Sequence, residues 1–306
     1  YGRNTIGGAV NFISKRPTGE FATRVKIGVG NETLRYGNLN VDLPTLGSAN
    51  EGLGELRARA SIYARKRDGF TDNIQQSFTA VSLPIAHFDQ FGTVDRKGAH
   101  LALDWQIRDG LLVTYDYSKF RADEHQRLLQ VIDVVPGGGR PAGFDKYIPH
   151  GQPSKGSANE IPFFDTDTDA HALQVSWDIN EHLTLRSISG YRKLDSYDGQ
   201  DLDGSDTSFY ESLRLHTSKQ WSQEFQLVGN TDQLEYVLGL YYFDEDPARL
   251  RMQHLSNKAL LRVTNAYMDN KNTAVFGQID YRPSWNEALT LSFGARHTKE
   301  TKNMPL

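Results

Sequence analysis

The sequence predicts an all-β chain of antiparallel strands, of the kind that closes into a transmembrane β-barrel. Three observations predict it. Polar and apolar residues alternate with period two over most of the 306 residues. Short turns and long polar connections alternate along the chain. No stretch approaches the roughly 18 apolar residues of a membrane helix, YVLGLYYF (236–243) being among the longest apolar runs, and this excludes a helical membrane protein but not a barrel.

In chain order the alternation starts with RVKIGVG (24–30) and GNLNVDL (37–43). LRARASIYAR sets Leu56, Ala58, Ala60, Ile62 and Ala64 against Arg57, Arg59, Ser61, Tyr63 and Arg65. HLALDWQI sets Leu101, Leu103, Trp105 and Ile107 against His100, Asp104 and Gln106, and LLVTYDYSK follows it. HALQVSWDI places Leu173, Val175, Trp177 and Ile179 opposite Gln174, Ser176 and Asp178, before LTLRSISGY. In WSQEFQLVG, Trp221, Phe225 and Leu227 oppose Ser222, Glu224 and Gln226. LEYVLGLYYF puts Leu234, Tyr236, Leu238, Leu240 and Tyr242 on one face, and AVFGQIDY comes next. LTLSFGARH ends the series with Leu289, Leu291 and Phe293 against Thr290, Ser292 and Arg296. About eleven strands result.

Alternation alone does not separate a barrel from a soluble sandwich, since both have one apolar face. Connection lengths do. RDG (108–110), NEH (180–182), NTDQ (230–233) and RPSWNE (282–287) read as short turns. Between them, 67–96, 122–169, 196–216 and 247–270 read as long loops. Short turns at one end and long loops at the other describe an outer-membrane barrel. Trp105, Tyr115, Tyr117, Tyr191, Tyr281 and Trp285, read as lying near strand ends, fit aromatic girdles at the two interfaces.

Composition bounds the chemistry. The net charge is −4 and the charges are interspersed, so nothing points to nucleic acid. Without cysteine there is no disulfide, zinc–thiolate site or thiol nucleophile. The opening YGRNTIGGAV spaces Gly2 and Gly7 as a phosphate loop would, but Gly8 and Ala9 stand where lysine and a hydroxyl are needed. GVGNET (28–33) lacks the third glycine of a dinucleotide fingerprint. Locally the glycine pair reads as a tight turn entering a strand where another backbone comes close.

Acidic clusters raise the question of calcium. DTDTDA (165–170) has Ala170 where a calcium loop needs glycine and Ser176 where it needs glutamate; DGQDLDGSD (198–206) also misses the spacing. His87, His125, His150, His216 and His254 are scattered without ligand spacing, so no metal site is expected. No GxSxG or nucleophile–base pair stands out, and the reading is of a protein that is not an enzyme and carries no cofactor.

The loop at 122–169 is rich in glycine and proline. Its Arg140, Tyr147, His150, Phe163 and Phe164 are candidate contacts for a bulky ligand, against the plainer reading of a solvated loop. On the polar strand faces, Arg57, Arg59, Arg65, Glu224, Gln226 and Arg296 are expected to face a lumen. The three arginines of 57–65 either attract anionic ligands or pair with acids of a segment inside the barrel, and the second role is favoured because such a cluster needs partners.

YGRNTIGGAVNFISKRP resembles the end of the plug domain in TonB-dependent outer-membrane receptors, the segment just before the first barrel strand. Tyr1, Gly2, Gly7, Gly8, Val10 and Asn11 carry that resemblance. RKRDGFTDN (65–73), ISGYRKLDSYDG (188–199), QWSQEFQLVG (220–229), YVLGLYYFDED (236–246) and AVFGQIDY with LTLSFGARHTKE resemble the family's barrel strands in the expected order. The resemblance implies a plug end at 1–18 and the first half of a barrel at 19–306, because large plugged transporters have about 22 strands. It implies residence in the outer membrane among its lipids and a partner, TonB, that contacts a part of the plug outside this sequence. It implies uptake of a scarce, large nutrient, with a ferric siderophore first among the ligands. A passive porin-like channel and a soluble β-sandwich are the rivals. A half barrel leaves two sheet edges that lipid cannot solvate. These residues alone are therefore expected neither to insert nor to transport. A heat-modifiable, membrane-integrated product of this chain alone would contradict that.

Overall fold

The computed structural model describes residues 14–74, 88–133, 154–156, 158, 162–205, 209–255, 260–286 and 288–304. Sixteen strands run in chain order: β1 (Ala22–Gly30), β2 (Leu34–Asp42), β3 (Leu46–Ser48), β4 (Glu51–Arg67), β5 (Thr71–Asn73), β6 (Gln90–Phe91), β7 (Val94–Arg108) and β8 (Leu111–His125). They continue as β9 (Lys155–Gly156), β10 (Phe163–Asn180), β11 (Leu183–Asp201), β12 (Tyr210–Asn230), β13 (Leu234–Leu255), β14 (Leu260–Tyr267), β15 (Asp269–Tyr281) and β16 (Leu291–Asn303). Among the described residues none is helical.

One antiparallel sheet dominates. Its path is β1-β2-β4-β7-β8-β10-β11-β12-β13-β15-β16, in chain order throughout, with β3 and β14 as side branches. This is the meander that hairpin connections impose. Turns of a few residues join β7 to β8, β10 to β11, and β12 to β13, and 282–290 joins β15 to β16; these define one end of the sheet, the turn end. The opposite, loop end carries the connections after β4, β8, β11 and β13.

Two expectations change at the loop end. Strands β12 and β13 have 21 and 22 residues, where about 9–11 suffice to cross a bilayer. Most of 196–216 and much of 247–270 is therefore paired strand rather than loop, and DTDTDA lies inside β10. Alternating Asp and Thr satisfy a two-sided ladder as well as a loop, so polarity alone had misplaced them. For the same reason Tyr115, Tyr117 and Tyr191 sit in mid-strand rather than near strand ends.

Cross-strand register puts the side chains on two faces. Trp105, Leu103 and Leu101 stand opposite Val113, Tyr115 and Tyr117. Leu173 and Trp177 continue that row across to Ser189 and Leu185, then Phe225 and Leu227 meet Leu240 and Leu238, and Val275 and Ile279 follow. This apolar face is uncovered: Phe225 is 46% exposed, Leu240 59% and Phe293 67%. A soluble sandwich buries such a face under a second sheet. Here the described residues place nothing over it, and lipid is the solvent that suits it. The strands that end the path, β1 and β16, each pair on one side only, so the sheet is open.

Among the described residues the buried hydrophobic cluster lies at the loop end. There β6-β5-β9 form a three-stranded sheet, with β5 antiparallel to β6 and parallel to β9. Phe88, Phe91 and Ala158 are fully buried beneath it, with Leu128 and Phe163 against them. Gly69 permits the close fit, since a Cβ there would lie 2.2 Å from the Phe91 carbonyl oxygen.

Candidate ligand-facing surface of an open barrel sheet

The plug-end residues Tyr1, Gly2, Gly7, Gly8, Val10 and Asn11 lie outside the described residues, as do Arg140, Tyr147 and His150. The segment that follows the plug-end motif is described, and it runs along the polar face of the sheet. Arg16 donates from Nε to Asp104 Oδ1 (3.1 Å), from Nη1 to Asp116 Oδ2 (2.6 Å) and from Nη2 to the Leu103 carbonyl (2.9 Å). The guanidinium fork matches two carboxylates on adjacent strands, which no ammonium could do with the same geometry. His100 Nε2 lies 3.2 Å from the second oxygen of Asp116.

The arginines expected in the lumen share this face. Arg57 stands opposite Asp104, Arg59 opposite Ala102, and Arg65 opposite Arg96. Their partners among the described residues come from the sheet itself: Arg59 pairs with Asp42 at 2.5 Å and Arg57 with Glu55 at 3.3 Å. Asp42 also accepts from the Thr18 backbone N–H at 3.3 Å. Sheet carboxylates also hold the incoming segment, at Arg16 and Thr18. Glu224 and Gln226 hydrogen-bond each other on the same face. Arg296 stacks over the rings of Phe276 and Tyr241, at 5.4 and 5.6 Å. Phe276 itself covers Gly239, where a Cβ would meet its ring at 2.1 Å.

Toward the loop end the polar face carries a group of cations that the sequence reading passed over. Arg214 lies opposite Arg251, His216 opposite Arg249, and Arg192 is on the neighbouring strand opposite Gln220. Arg214 is paired with Asp198 at 2.7 Å, and Arg251 Nε reaches Ser212 Oγ at 3.4 Å. Arg192 and Arg249 have no carboxylate within ion-pair distance among the described residues. Counting even and odd positions strand by strand, outward from Leu185, Phe225 and Leu240, would have put all four arginines on one face. Arg214, Arg249 and Arg251 were missed because 196–216 and 247–270 read as loops, where parity has no meaning.

The two phenylalanine candidates separate. Phe164 points to the polar face beside Glu124 and Asp198 in register. Phe163 points the other way and is half-buried against Tyr197, ring centroids 4.8 Å apart, and against the cap core. It braces the cap.

The acidic loop resolves into turn chemistry. Asp201 Oδ1 accepts from the N–H groups of Asp203 and Gly204 (3.2 and 3.1 Å). Asp203 accepts from Ser205 and, through its other oxygen, from Tyr210 N–H at 2.7 Å. Burial pushes the Asp203 carboxyl above its ordinary range against the pull of those donors. Carboxylates spent on closing their own loop are not presented to a cation. No metal-holding group of acidic or histidine side chains occurs among the described residues.

On the apolar face, Tyr117, His171, Tyr191, Trp221 and Tyr242 form a row of rings, with His171 4.9 Å from Tyr117 and Trp221 5.3 Å from Tyr242. Directly beyond it toward the loop end, Lys119 holds Asp167 and Asp169 at 2.5 and 2.7 Å, and Lys193 holds Asp195 at 2.5 Å. Apolar band, aromatic row, then charge is the order that a membrane interface requires. Fold and surface together define the class: a transmembrane barrel sheet.

No protein-family model and no curated protein matches the chain. Solved structures do. The chain superposes on the ferric yersiniabactin uptake receptor FyuA of Yersinia pestis with a TM-score of 0.64 at 12% identity, over 94% of this chain and 44% of that one. For the ferripyoverdine receptor of the Pseudomonas aeruginosa outer membrane the values are 0.65, 13%, 95% and 38%. For the ferric-catecholate import receptor Fiu of E. coli K12, in its open form, they are 0.59, 13%, 94% and 46%. The chain spans 38–50% of the length of the solved chains it matches. Identity this low speaks for the fold, which is about half of the plugged barrel of the TonB-dependent siderophore receptors. The solved structures are of uptake and import receptors and not of enzymes.

Proposed function

We propose that this chain is the plug end (1–18) and the first half of the barrel (19–306) of a TonB-dependent outer-membrane receptor that takes up a ferric siderophore. The observation that carries the proposal is the placement of Arg16. A segment preceding the first strand lies on the polar side of the sheet and is held there by Asp104 and Asp116. A passive channel has no need of such a strut, whereas a plugged barrel does. The resemblance of the opening motif to a plug end and the fold shared with receptors named for ferric chelates support the same reading.

In this reading the apolar face meets outer-membrane lipid, and the arginines at 192, 214, 249 and 251 give the ligand side a positive field. That field suits a chelate carrying negative charge. TonB, energised from the inner membrane, displaces the plug, because the barrel has no energy source of its own.

The test is radioiron uptake by cells carrying the whole gene as their only receptor, offered catecholate, hydroxamate and mixed chelates in turn. Saturable uptake of one chelate, abolished when the proton-motive force is collapsed, is the expected result. Entry that survives collapse, or scales linearly with chelate, makes the protein a passive channel. Charge reversal at Arg249 and Arg251 is expected to weaken capture of the accepted chelate with the barrel intact.

A further inference from the structure

At the turn end, the connection between β2 and β4 is no simple turn. LGSANEGLG (46–54) folds back as a hairpin in which β3 pairs the start of β4, with Leu46 opposite Leu56. Gly47, Asn50, Gly52 and Gly54 all have left-handed backbone, with φ of 79°, 66°, 54° and 87°. Two glycines set the bend: a Cβ on Gly47 would lie 2.1 Å from the Gly54 carbonyl oxygen, and one on Gly54 would lie 2.4 Å from that of Gln106. The hairpin is thereby pressed onto the end of β7. Trp105 Nε1 donates to the Leu53 carbonyl at 2.6 Å, and Asn50 Oδ1 accepts from the Asp109 N–H at 2.7 Å.

This bend opens a crease of about 810 Å³ between hairpin and sheet, lined by Leu46, Leu53, Leu56, Leu103 and Trp105 and also by Ser48 and Glu51. Leu53 is 84% exposed and Leu46 59%. The floor is continuous with the apolar face, since Leu56 and Leu103 belong to the rows that run up the sheet. Asn50 Oδ1 and the Leu53 carbonyl are spent on contacts with the end of β7, Ser48 and Glu51 are the polar side chains of the lining, and none of the buried polar atoms left without a hydrogen bond among the described residues lines the crease. The wall therefore offers a partner apolar surface and shape, and few hydrogen bonds.

We infer that this crease seats one acyl chain of a phospholipid from the leaflet at the turn end of the barrel. An acyl chain asks for no hydrogen bonds, and it enters from the side where the apolar face already meets lipid. A protein partner would leave its backbone groups unanswered in this crease. The inference rests on the membrane reading proposed above. It adds that one lipid is held in place, where Trp105 ties the hairpin to the sheet, beyond the annulus that touches the rest of the belt.

The test uses the full-length protein in vesicles. A single cysteine with a small fluorophore replaces Leu53 in one variant and Phe225, in mid-belt, in another. Phospholipids brominated along the acyl chain are expected to quench both labels, while iodide in the water quenches neither, and on mixing with an excess of unbrominated vesicles the Phe225 label is expected to recover fast and the Leu53 label slowly. Equally fast recovery of both labels makes the crease part of the annulus and overturns the held lipid. A Phe225 label quenched by lipid beside a Leu53 label that answers only to iodide leaves the membrane reading standing and overturns the acyl-chain site. A Leu53 label shielded from both quenchers assigns the crease to a protein segment and overturns it equally. A Phe225 label that lipid fails to quench overturns the membrane reading itself.

Discussion

The belt of the sheet and its loop-end cap solve the same problem with opposite means. In the belt, Phe225, Leu240, Val275 and Phe293 stand a third or more exposed, and nothing in the described chain covers them. In the cap, Phe91 and Ala158 are wholly buried and Phe88 nearly so, its ring meeting Phe91 edge-on at 5.0 Å. In the proposed membrane setting the cap must make its core from protein, because it stands in water beyond the bilayer. In the same setting the belt needs none, because lipid takes the place of the second layer. A chain that spans both environments thus builds its interior only where solvent would otherwise reach the backbone of its long connections.

That contrast can be broken first in the cap. Phe91→Ala removes the ring around which β5, β6 and β9 assemble and is expected to cost about 3–5 kcal/mol of local stability. Limited proteolysis of the full-length protein should show early cleavage within 68–93 while the heat-modifiable barrel band persists. Loss of the barrel band together with the cap would mean that cap and belt fold as one unit, against the separation drawn here.

In the belt the sensitive property is polarity rather than volume. Leu240→Arg is expected to cost about 2–4 kcal/mol in a lipid-facing position. Gln226→Arg, on the opposite face of the adjoining strand, is expected to change stability by well under that amount. Denaturant titration of the protein in vesicles compares the two. Equal costs would deny the lipid assignment of the apolar face.

The smallest effect sharpens the contrast by pH. His125 ends β8 at the cap, its ring 4.9 Å from that of Phe88, and burial lowers its pKa against the pull of Asp123 and Asp89. The folded cap therefore holds this imidazole neutral. Its contribution is full above the unfolded value of about 6.5 and is lost as pH falls through the lowered folded value. Cleavage within 68–93 should rise between about pH 7.5 and pH 5, and His125→Gln should flatten that rise. An unchanged profile in the variant would place the sensitivity elsewhere.

Where the fold was legible, the code was local. Trp221, Phe225 and Leu227 against Ser222, Glu224 and Gln226 assign both faces of a strand within one short window, because side chains alternate with a period of two. Asp109–Gly110 and Glu181–His182 mark turns by the same local means. The cap was illegible, because Thr71, Phe91 and Lys155 come from three distant stretches whose pairing no periodicity announces. The acids were misread for a related reason. Asp167 and Asp169 look like a loop until Lys119, opposite Asp169 on β8, gives them a partner.

The sequence by itself determined the strands of the belt, the face each of their residues takes and the end at which the short turns lie, since each depends on neighbours within a few positions. The tertiary structure alone decided how far the strands run past the aromatic row, which carboxylates hold Arg16, and how the 46–54 hairpin bends onto Trp105. Those depend on contacts between residues far apart in the chain, whose free energy appears only when the sheet is assembled.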